Sequence, residues 1–440
     1  MKKGKILSCL FLAGLLGLTA LLGGCTSANS AKSKDDSAAL LAQNTAFAQP
    51  TMPAASKGEY RTIPEIDEGF LKSVAAFCAD SSAIAAKMNP ENNLAFSPVS
   101  LYMALAMTSM GAEEETLSEM LTAFHMGDLS KETIAEQSKK LFESIYFENE
   151  TGKTYLANSI WVDDDIREVK ESFYKQTAES FYAPAYYGDL QSQETQKAIC
   201  DWVAEQTNGK VERKIPDPIS DDWAMSLINA IYFIDRWSEQ FSPDATETQP
   251  FWLADGKQVE AQMMKQTLTS AEYKKTDEYE SIAMRFNARY KMTFYLPVEG
   301  KTADNLLAQK LIFADDSVSE DTYTVNLSLP RFDIKSEMEL SKMLKDMGIE
   351  RALGDGEVDF SGISDEDMLF ISSVVQAAAV TVDEEGCEAA AYTEVIMDAG
   401  GVFEESKEIT LLFNRPFAFS LTDSNDLPLF TGVVQNPAEN

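Results

Sequence analysis

The stretch Glu384-Glu385-Gly386-Cys387-Glu388-Ala389-Ala390-Ala391-Tyr392-Thr393 alternates in side-chain character along its length. Counting from Gly386, one parity holds Cys387, Ala389, Ala391 and Thr393, all small and uncharged. The other parity holds Glu388, Ala390, Tyr392 and Glu394. In a β-strand successive side chains point to opposite faces, so this segment can bury one whole face without burying a charge. Cysteine buries as a small hydrophobe, and no proline removes a ladder donor. Both glutamates, and the bulk of Tyr392, fall on the outward parity, where they are expected to face solvent.

The surroundings read as one α+β domain over 63–440, with helices first and strands late. Phe70, Val74, Phe77, Ile84 and Met88 recur at helical spacing. Ser97-Pro98 offers an N-cap followed by proline in the first turn, with Leu101, Ala104, Leu105 and Thr108 on one face and Gly111 as a stop. Thr116 to Glu119 has the spacing of a capping box ahead of Met120, Leu121 and Phe124. Runs of strand length and pattern are 156–162, 292–296 and 325–329, and three more, 409–413, 417–421 and 429–434, close the chain.

Composition excludes several functions. The formal net charge of −34 leaves no positive field for phosphate backbones, so nucleic acid is not an expected partner. His125 is the single histidine of the 440 residues, which rules out a His-rich zinc site and leaves one candidate base for any Ser-His-Asp or Cys-His arrangement. It lies at the end of an apolar helical stretch and reads as structural or solvent-facing. No cofactor, metal or catalytic residue is expected, and the chain is read as a non-enzyme.

The N-terminus reads as an address. Lys2, Lys3 and Lys5 precede an apolar run from Ile6 to Leu22, which ends in Leu22-Gly23-Gly24-Cys25. Small residues before a cysteine resemble the bacterial lipobox. Residues 1–24 are then a lipoprotein signal peptide, Cys25 the lipidated N-terminus, and 25–62 a flexible tether rich in small and polar residues. The expected location is extracytoplasmic, lipid-anchored to the cell envelope, with later shedding left open. Cys78, Cys200 and Cys387 remain in the folded part, an odd number that reads as free thiols rather than a disulfide framework.

An ordered series of short motifs resembles the serpin family over about 350 residues. Asn93-Leu94-Ala95-Phe96-Ser97-Pro98-Val99-Ser100 leads to Ala104, Leu105, Gly111 and Thr116. Trp202-Val203 with Thr207-Asn208-Gly209-Lys210 follows, then Asn229-Ala230-Ile231-Tyr232-Phe233 with Trp237 and Phe241. Leu329-Pro330-Arg331-Phe332, Leu344 with Met347-Gly348, Phe413-Asn414-Arg415-Pro416-Phe417 and Phe430-Thr431-Gly432 to Pro437 complete it. The resemblance implies three β-sheets surrounded by about nine α-helices, with an exposed reactive-centre loop. It implies a monomer that inhibits serine proteases as a suicide substrate: the loop is cleaved, an acyl-enzyme forms, and the cut loop inserts into the large sheet and distorts the protease.

By the same resemblance, Glu384, Glu385, Gly386, Cys387, Glu388, Ala389, Ala390 and Ala391 form the hinge of that loop. Ser97, Ser100 and Asn229 match the polar shutter beneath the opening strands, and Gln376 stands where relatives carry a histidine. Trp237, Arg331 and Glu384 take the breach positions, the last two as an ion pair. The family count from the hinge sets the scissile bond at Gly400-Gly401, with Met397, Ala399 and Phe403 as alternatives because 402–412 is longer than usual. Small residues suit the shallow primary pockets of elastase-like and subtilisin-like proteases. No Arg or Lys lies between Gly386 and Glu405, which disfavours trypsin-like enzymes. Two rival readings stay open: a non-inhibitory member of the family, and an extracytoplasmic ligand-binding lipoprotein.

Overall fold

The computed structural model describes residues 64–148, 152–166, 169–211, 213–215, 219, 224–313, 323–365, 369–387 and 407–439. Among these are eight α-helices: α1 (Glu68–Met88), α2 (Pro98–Ser109), α3 (Glu114–Ala123), α4 (Lys131–Ile145), α5 (Glu171–Phe181), α6 (Gln193–Gln206), α7 (Ala303–Ala308) and α8 (Ser341–Asp346). The strands of one sheet are β2 (Phe147–Glu148), β3 (Lys153–Val162), β4 (Ala185–Tyr187), β5 (Met225–Arg236), β11 (Phe332–Glu339), β12 (Ser373–Val382) and β13 (Gly386–Cys387). The other sheet holds β1 (Leu94–Phe96), β6 (Glu247–Trp252), β7 (Gln258–Lys275), β8 (Tyr279–Arg285), β9 (Lys291–Pro297), β10 (Tyr323–Pro330), β14 (Lys407–Leu412), β15 (Phe417–Thr422) and β16 (Pro428–Val434).

Among the described residues the three expected sheets form two hydrogen-bonded networks, because β7 runs through two of them and joins them. Its first part pairs β6 and β10, and its last four residues pair β8. The first and last strands of the described residues pair in this sheet: β1 runs antiparallel to β16, Leu94 opposite Val433.

Local chemistry sets the helix starts. Asp67 caps α1 by accepting the Phe70 N–H at 2.8 Å, and Pro98 opens α2. The capping box expected at Thr116–Glu119 does not form. Helix α3 begins three residues earlier, capped at Glu113, whose N–H donates to the Asp359 carbonyl at 3.0 Å. Thr116 Oγ1 accepts the Asp359 N–H at 2.9 Å, and Glu119 binds Arg351 instead of the helix start. A tertiary partner has displaced the local cap.

Helix α2 runs through the core and is buried at every position. Phe70, Phe77, Tyr102 and Phe124 close edge-to-face around it. His125 follows α3 with φ +58°, its Nε2 3.0 Å from Asp80 at the surface. Cys78 is buried and Cys200 half-buried on α6, and neither is in a disulfide. No helix among the described residues is long and apolar enough to cross a membrane.

Gly432 sits in β16 between β1 and β15, and a Cβ there would lie 2.1 Å from the Leu94 carbonyl and 2.4 Å from the Phe419 ring. Gly432→Ala is therefore expected to cost about 2–3 kcal/mol by overpacking, read as a lower urea midpoint with unchanged slope.

Candidate functional site at the seam of the seven-stranded sheet

Strand β5 is the middle of its sheet and is covered on both faces. Leu227, Ile231 and Phe233 point into the main core, while Ile228 and Ala230 pack beneath α6. Beside it, β12 runs parallel and pairs directly from Ser373 opposite Ser226 to Ala377 opposite Ala230. Above those rows the two strands separate, and Gly386–Cys387 occupies the gap. Cys387 pairs with Val382 on one side and Asp235 on the other, antiparallel to both.

A tight turn returns the chain into that gap. The Asp383 carboxylate accepts the N–H groups of Glu385 at 2.9 Å and Gly386 at 3.1 Å, and the Asp383 N–H donates to the Gly386 carbonyl at 3.0 Å. Gly386 must lack a side chain, since a Cβ would stand 2.1 Å from the Asp235 carbonyl. Cys387 is buried on the core-facing side with Val380 and Val382. Asp235 is buried on the same row, and burial raises its carboxyl to about 6 against backbone donors Ala288 and Arg236.

Above the turn is a closed polar lock. Trp237 is 1% exposed and stacks on Phe286 at 4.2 Å between centroids. Its backbone N–H donates to the Glu385 carbonyl at 2.9 Å, and its Nε1 to the Asp383 carbonyl at 3.0 Å. Arg331 donates to Glu384 Oε1 from Nε at 2.8 Å and Nη2 at 2.5 Å, and Thr246 Oγ1 adds a further bond. Burial alone would raise the Glu384 carboxyl, but these donors outweigh it and hold it below the ordinary carboxylate range.

At the lower end of the seam an amide row crosses three strands. Gln376 of β12, Asn229 of β5 and Asn158 of β3 stand opposite one another on the inner face. Gln376 clamps the start of α2, accepting the Ser97 N–H and donating to the Ser97 carbonyl, both at 2.8 Å. Ser100 Oγ donates to Asn229 Oδ1, and Asn229 Nδ2 donates to Asn158 Oδ1 at 2.7 Å. Both flanking strands are thus tied to the same helix turn, through Ser97 on one side and Ser100 on the other. Ser97 Oγ and Asn158 Nδ2 are buried without a partner among the described residues.

The structure therefore brings Trp237, Arg331, Glu384, Glu385, Gly386 and Cys387 together at the top of the seam, and Ser97, Ser100, Asn229 and Gln376 at its base. Glu388, Ala389, Ala390 and Ala391 lie outside the described residues, as do Met397, Ala399, Gly400, Gly401, Phe403 and Cys25. The sequence reading did not nominate Asp383, Thr246 or Asn158. Asp383 heads an Asp-Glu-Glu-Gly turn, and Asn158 shares the inward parity of Leu156 and Ile160, so both had a local signal. Thr246 had none.

One expectation is corrected. The outward face beside the lower seam is not a solvent face: Ala377, Ile228 and Ala230 are buried there under Trp202 and Val203 of α6 and under Val211. Small side chains on the strands let the helix settle onto the sheet.

The model of the family described as Serpin (serine protease inhibitor) matches residues 72–437. The chain belongs to the serpin family. Serine protease inhibitor 42Dd of Drosophila melanogaster is 32% identical over 379 residues, spanning 84% of this chain and 98% of that relative. Serpin A3-3 of Bos taurus is 30% identical over 360 residues, 80% of this chain and 85% of the relative. Among solved structures, the native thermophilic serpin tengpin is similar with TM-score 0.75 and 27% identity, covering 86% of this chain and 97% of its own. Human thyroxine-binding globulin, with thyroxine bound, shares the fold at TM-score 0.75 and 24% identity over 84% of this serpin and 100% of its own chain. Serpins as a family inhibit serine proteases and are not enzymes, although the family also includes non-inhibitory members.

Because Gly386 is in contact with the β5 backbone, Gly386→Val is expected to expel the turn from the sheet. Trp237 then loses its bond to Glu385, and its emission should shift to the red; an unshifted spectrum would mean that the turn is held elsewhere.

Proposed function

We propose that this serpin inhibits serine proteases by inserting its cleaved loop, residues 388–400, as a new strand between β12 and β5. The observation that carries this reading is the seam itself. Its upper end already holds Gly386 and Cys387 in strand pairing, and its lower end is closed by direct β12–β5 pairing. The register set by Cys387 continues to Thr393, which falls opposite Gln376 and Asn229 together. Those two residues are paired with each other here, so the incoming strand has a single consistent register. On the inward parity Ala389 and Ala391 would lie against Val380 and Ala378, and Thr393 would reach the amide row. Its hydroxyl would meet groups that include the unpartnered Ser97 Oγ.

Insertion breaks five paired rows and creates two new ladders along the whole strand. The sheet gains hydrogen bonds and buried area, so the uninserted form is held by a barrier rather than by equilibrium stability. On this reading the protease serine attacks the carbonyl of Gly400, the Gly400–Gly401 bond breaks, and Gly401 leaves as the new amine. Insertion then carries the acyl-enzyme away from the cleavage geometry before water can release it. Small residues at Gly400 and Ala399 favour elastase-like or subtilisin-like targets; cleavage at Met397 or Phe403 would change that preference. Attachment through a lipid on Cys25 places the inhibitor at an envelope surface.

Incubation with pancreatic elastase is expected to give an SDS-stable covalent complex, with the loop cut after Gly400. Thr393→Arg puts a long cation into the closed core row, so the same incubation should yield only cleaved protein and active protease. Cleavage of the parent chain without any complex would contradict the inhibitory reading and favour a non-inhibitory serpin. Because Gln376 cannot titrate near neutral pH, the lower lock is expected to add no pH dependence to the rate of complex formation between about pH 6 and 7.5. The comparison corrects for the protease and is made in Asp235→Asn, since burial raises the Asp235 carboxyl to about 6. A steep change over that interval that persists in Asp235→Asn would place a titrating group in the lower lock. Separately, Cys25→Ala should release the protein from the membrane fraction of the producing cell; retention there would count against lipidation.

A further inference from the structure

Asp235 continues the core-facing row of β5 above Leu227, Ile231 and Phe233, and it is 1% exposed. Its main chain pairs with Cys387 and touches Gly386 of the turn. Its carboxylate joins further elements at the same point. Oδ2 accepts the Ala288 N–H and Oδ1 the Arg236 N–H, both at 2.8 Å. Gly152, just before β3, closes over it so tightly that a Cβ there would stand 2.8 Å from Oδ1. Ala288 belongs to the segment between β8 and β9, whose Phe286 stacks on Trp237, and Trp237 holds the turn through the Glu385 and Asp383 carbonyls. One buried carboxylate therefore bears on the start of β3, on β5, on the β8–β9 segment and on the turn.

Among the described residues its hydrogen-bond partners are those two backbone N–H groups, and no cation pairs with it. The charged and titratable groups around it are Arg236 of β5, Lys153 of β3, Arg289 and Tyr290 of the β8–β9 segment, Cys387 of β13, and Asp383, Glu384 and Glu385 of the turn. Lys153 pairs with Glu148 at 2.8 Å, and the Tyr290 hydroxyl donates to the Ile145 carbonyl at 2.7 Å. Burial outweighs Arg236 and both N–H groups, which is why the carboxyl is raised. We propose that Asp235 is a proton-operated latch: its neutral carboxyl keeps the upper seam shut, and ionisation loosens it by drawing water to a buried, uncompensated charge. The closed form binds the proton more tightly than any form in which water reaches Asp235. The contribution to closure is complete below the ordinary aspartate value of 3.8 and is lost as pH rises through about 6. The latch belongs to the intact protein and does not depend on loop insertion; where insertion follows opening, the same proton restrains inhibition in acid.

Hydrogen–deuterium exchange of the full chain, followed on peptides covering 286–290 and 383–387 and corrected for the intrinsic pH dependence of amide exchange, reads this opening directly. The opening constant is expected to rise about tenfold between about pH 5 and 7.5 in the parent and to stay flat in Asp235→Asn. His125→Gln removes the one histidine of the chain and is expected to keep the parent's rise. A flat parent profile would overturn the proposal, as would a rise that persists in Asp235→Asn or one that disappears in His125→Gln. Should Asp235→Asn not fold, the parent and His125→Gln still decide, because either a flat profile or a rise lost with the histidine sinks the latch. None of these readings requires a covalent complex, so failure of the inhibitory reading and failure of the latch are seen in different experiments.

Discussion

Five paired rows between β12 and β5 hold the large sheet closed, and the rest of the site is arranged around that contact. Two parallel central strands normally bond to their neighbours for the life of the fold. Here the contact stops halfway, because the Asp383 turn has placed Gly386 and Cys387 between the strands. The upper part of the seam therefore already holds a two-residue strand, and its lower part is closed. Everything above the junction fixes the turn: Trp237 through the Asp383 and Glu385 carbonyls, and Arg331 and Thr246 through Glu384. Everything at the base fixes the strands to one another through the first turn of α2. Because Gln376 and Asn229 bind different residues of one helix turn, parting the strands must stretch or break at least one of these two ties.

That arrangement separates stability from function in a definite way. The inner parity of the loop is small and uncharged, so the core face offers little resistance to a new strand. On the proposed insertion, the outer parity would enter a covered space under α6, which would have to adjust to admit Tyr392 and Glu394. Resistance to insertion would then come from the closed rows and from the helix above them, and not from the chemistry of the loop's buried side. The amide row adds a lock without a titrating group, whereas the carboxyl groups that do respond to pH, Asp235 and Glu384, are both at the upper end.

Much of this was legible in the sequence where residue type and spacing act locally. The parity of 386–394, the strand runs at the C-terminus and the proline at the start of α2 needed no tertiary information. The ordered motifs gave the family and the breach and shutter positions by resemblance. What local reading could not supply depended on distant partners. The start of α3 is set by Asp359, more than two hundred residues away, and this overrode a capping box that was correct in spacing alone. The outward face of the seam was taken for a solvent face because alternation reports two faces but not what covers each. The helix covering it is anchored by Trp161 and Trp202 on alanines that carry no signal by themselves.

Insertion would place the cleaved loop, residues 388–400, between β12 and β5. A crystal structure of the loop-cleaved protein tests it most directly, through the separation of the Gln376 and Asn229 Cα atoms. These neighbours are expected to move apart by about 4.8 Å, one strand spacing, with Thr393 between them. A cleaved structure in which Gln376 and Asn229 are still paired, with the cut loop outside the sheet, would contradict it.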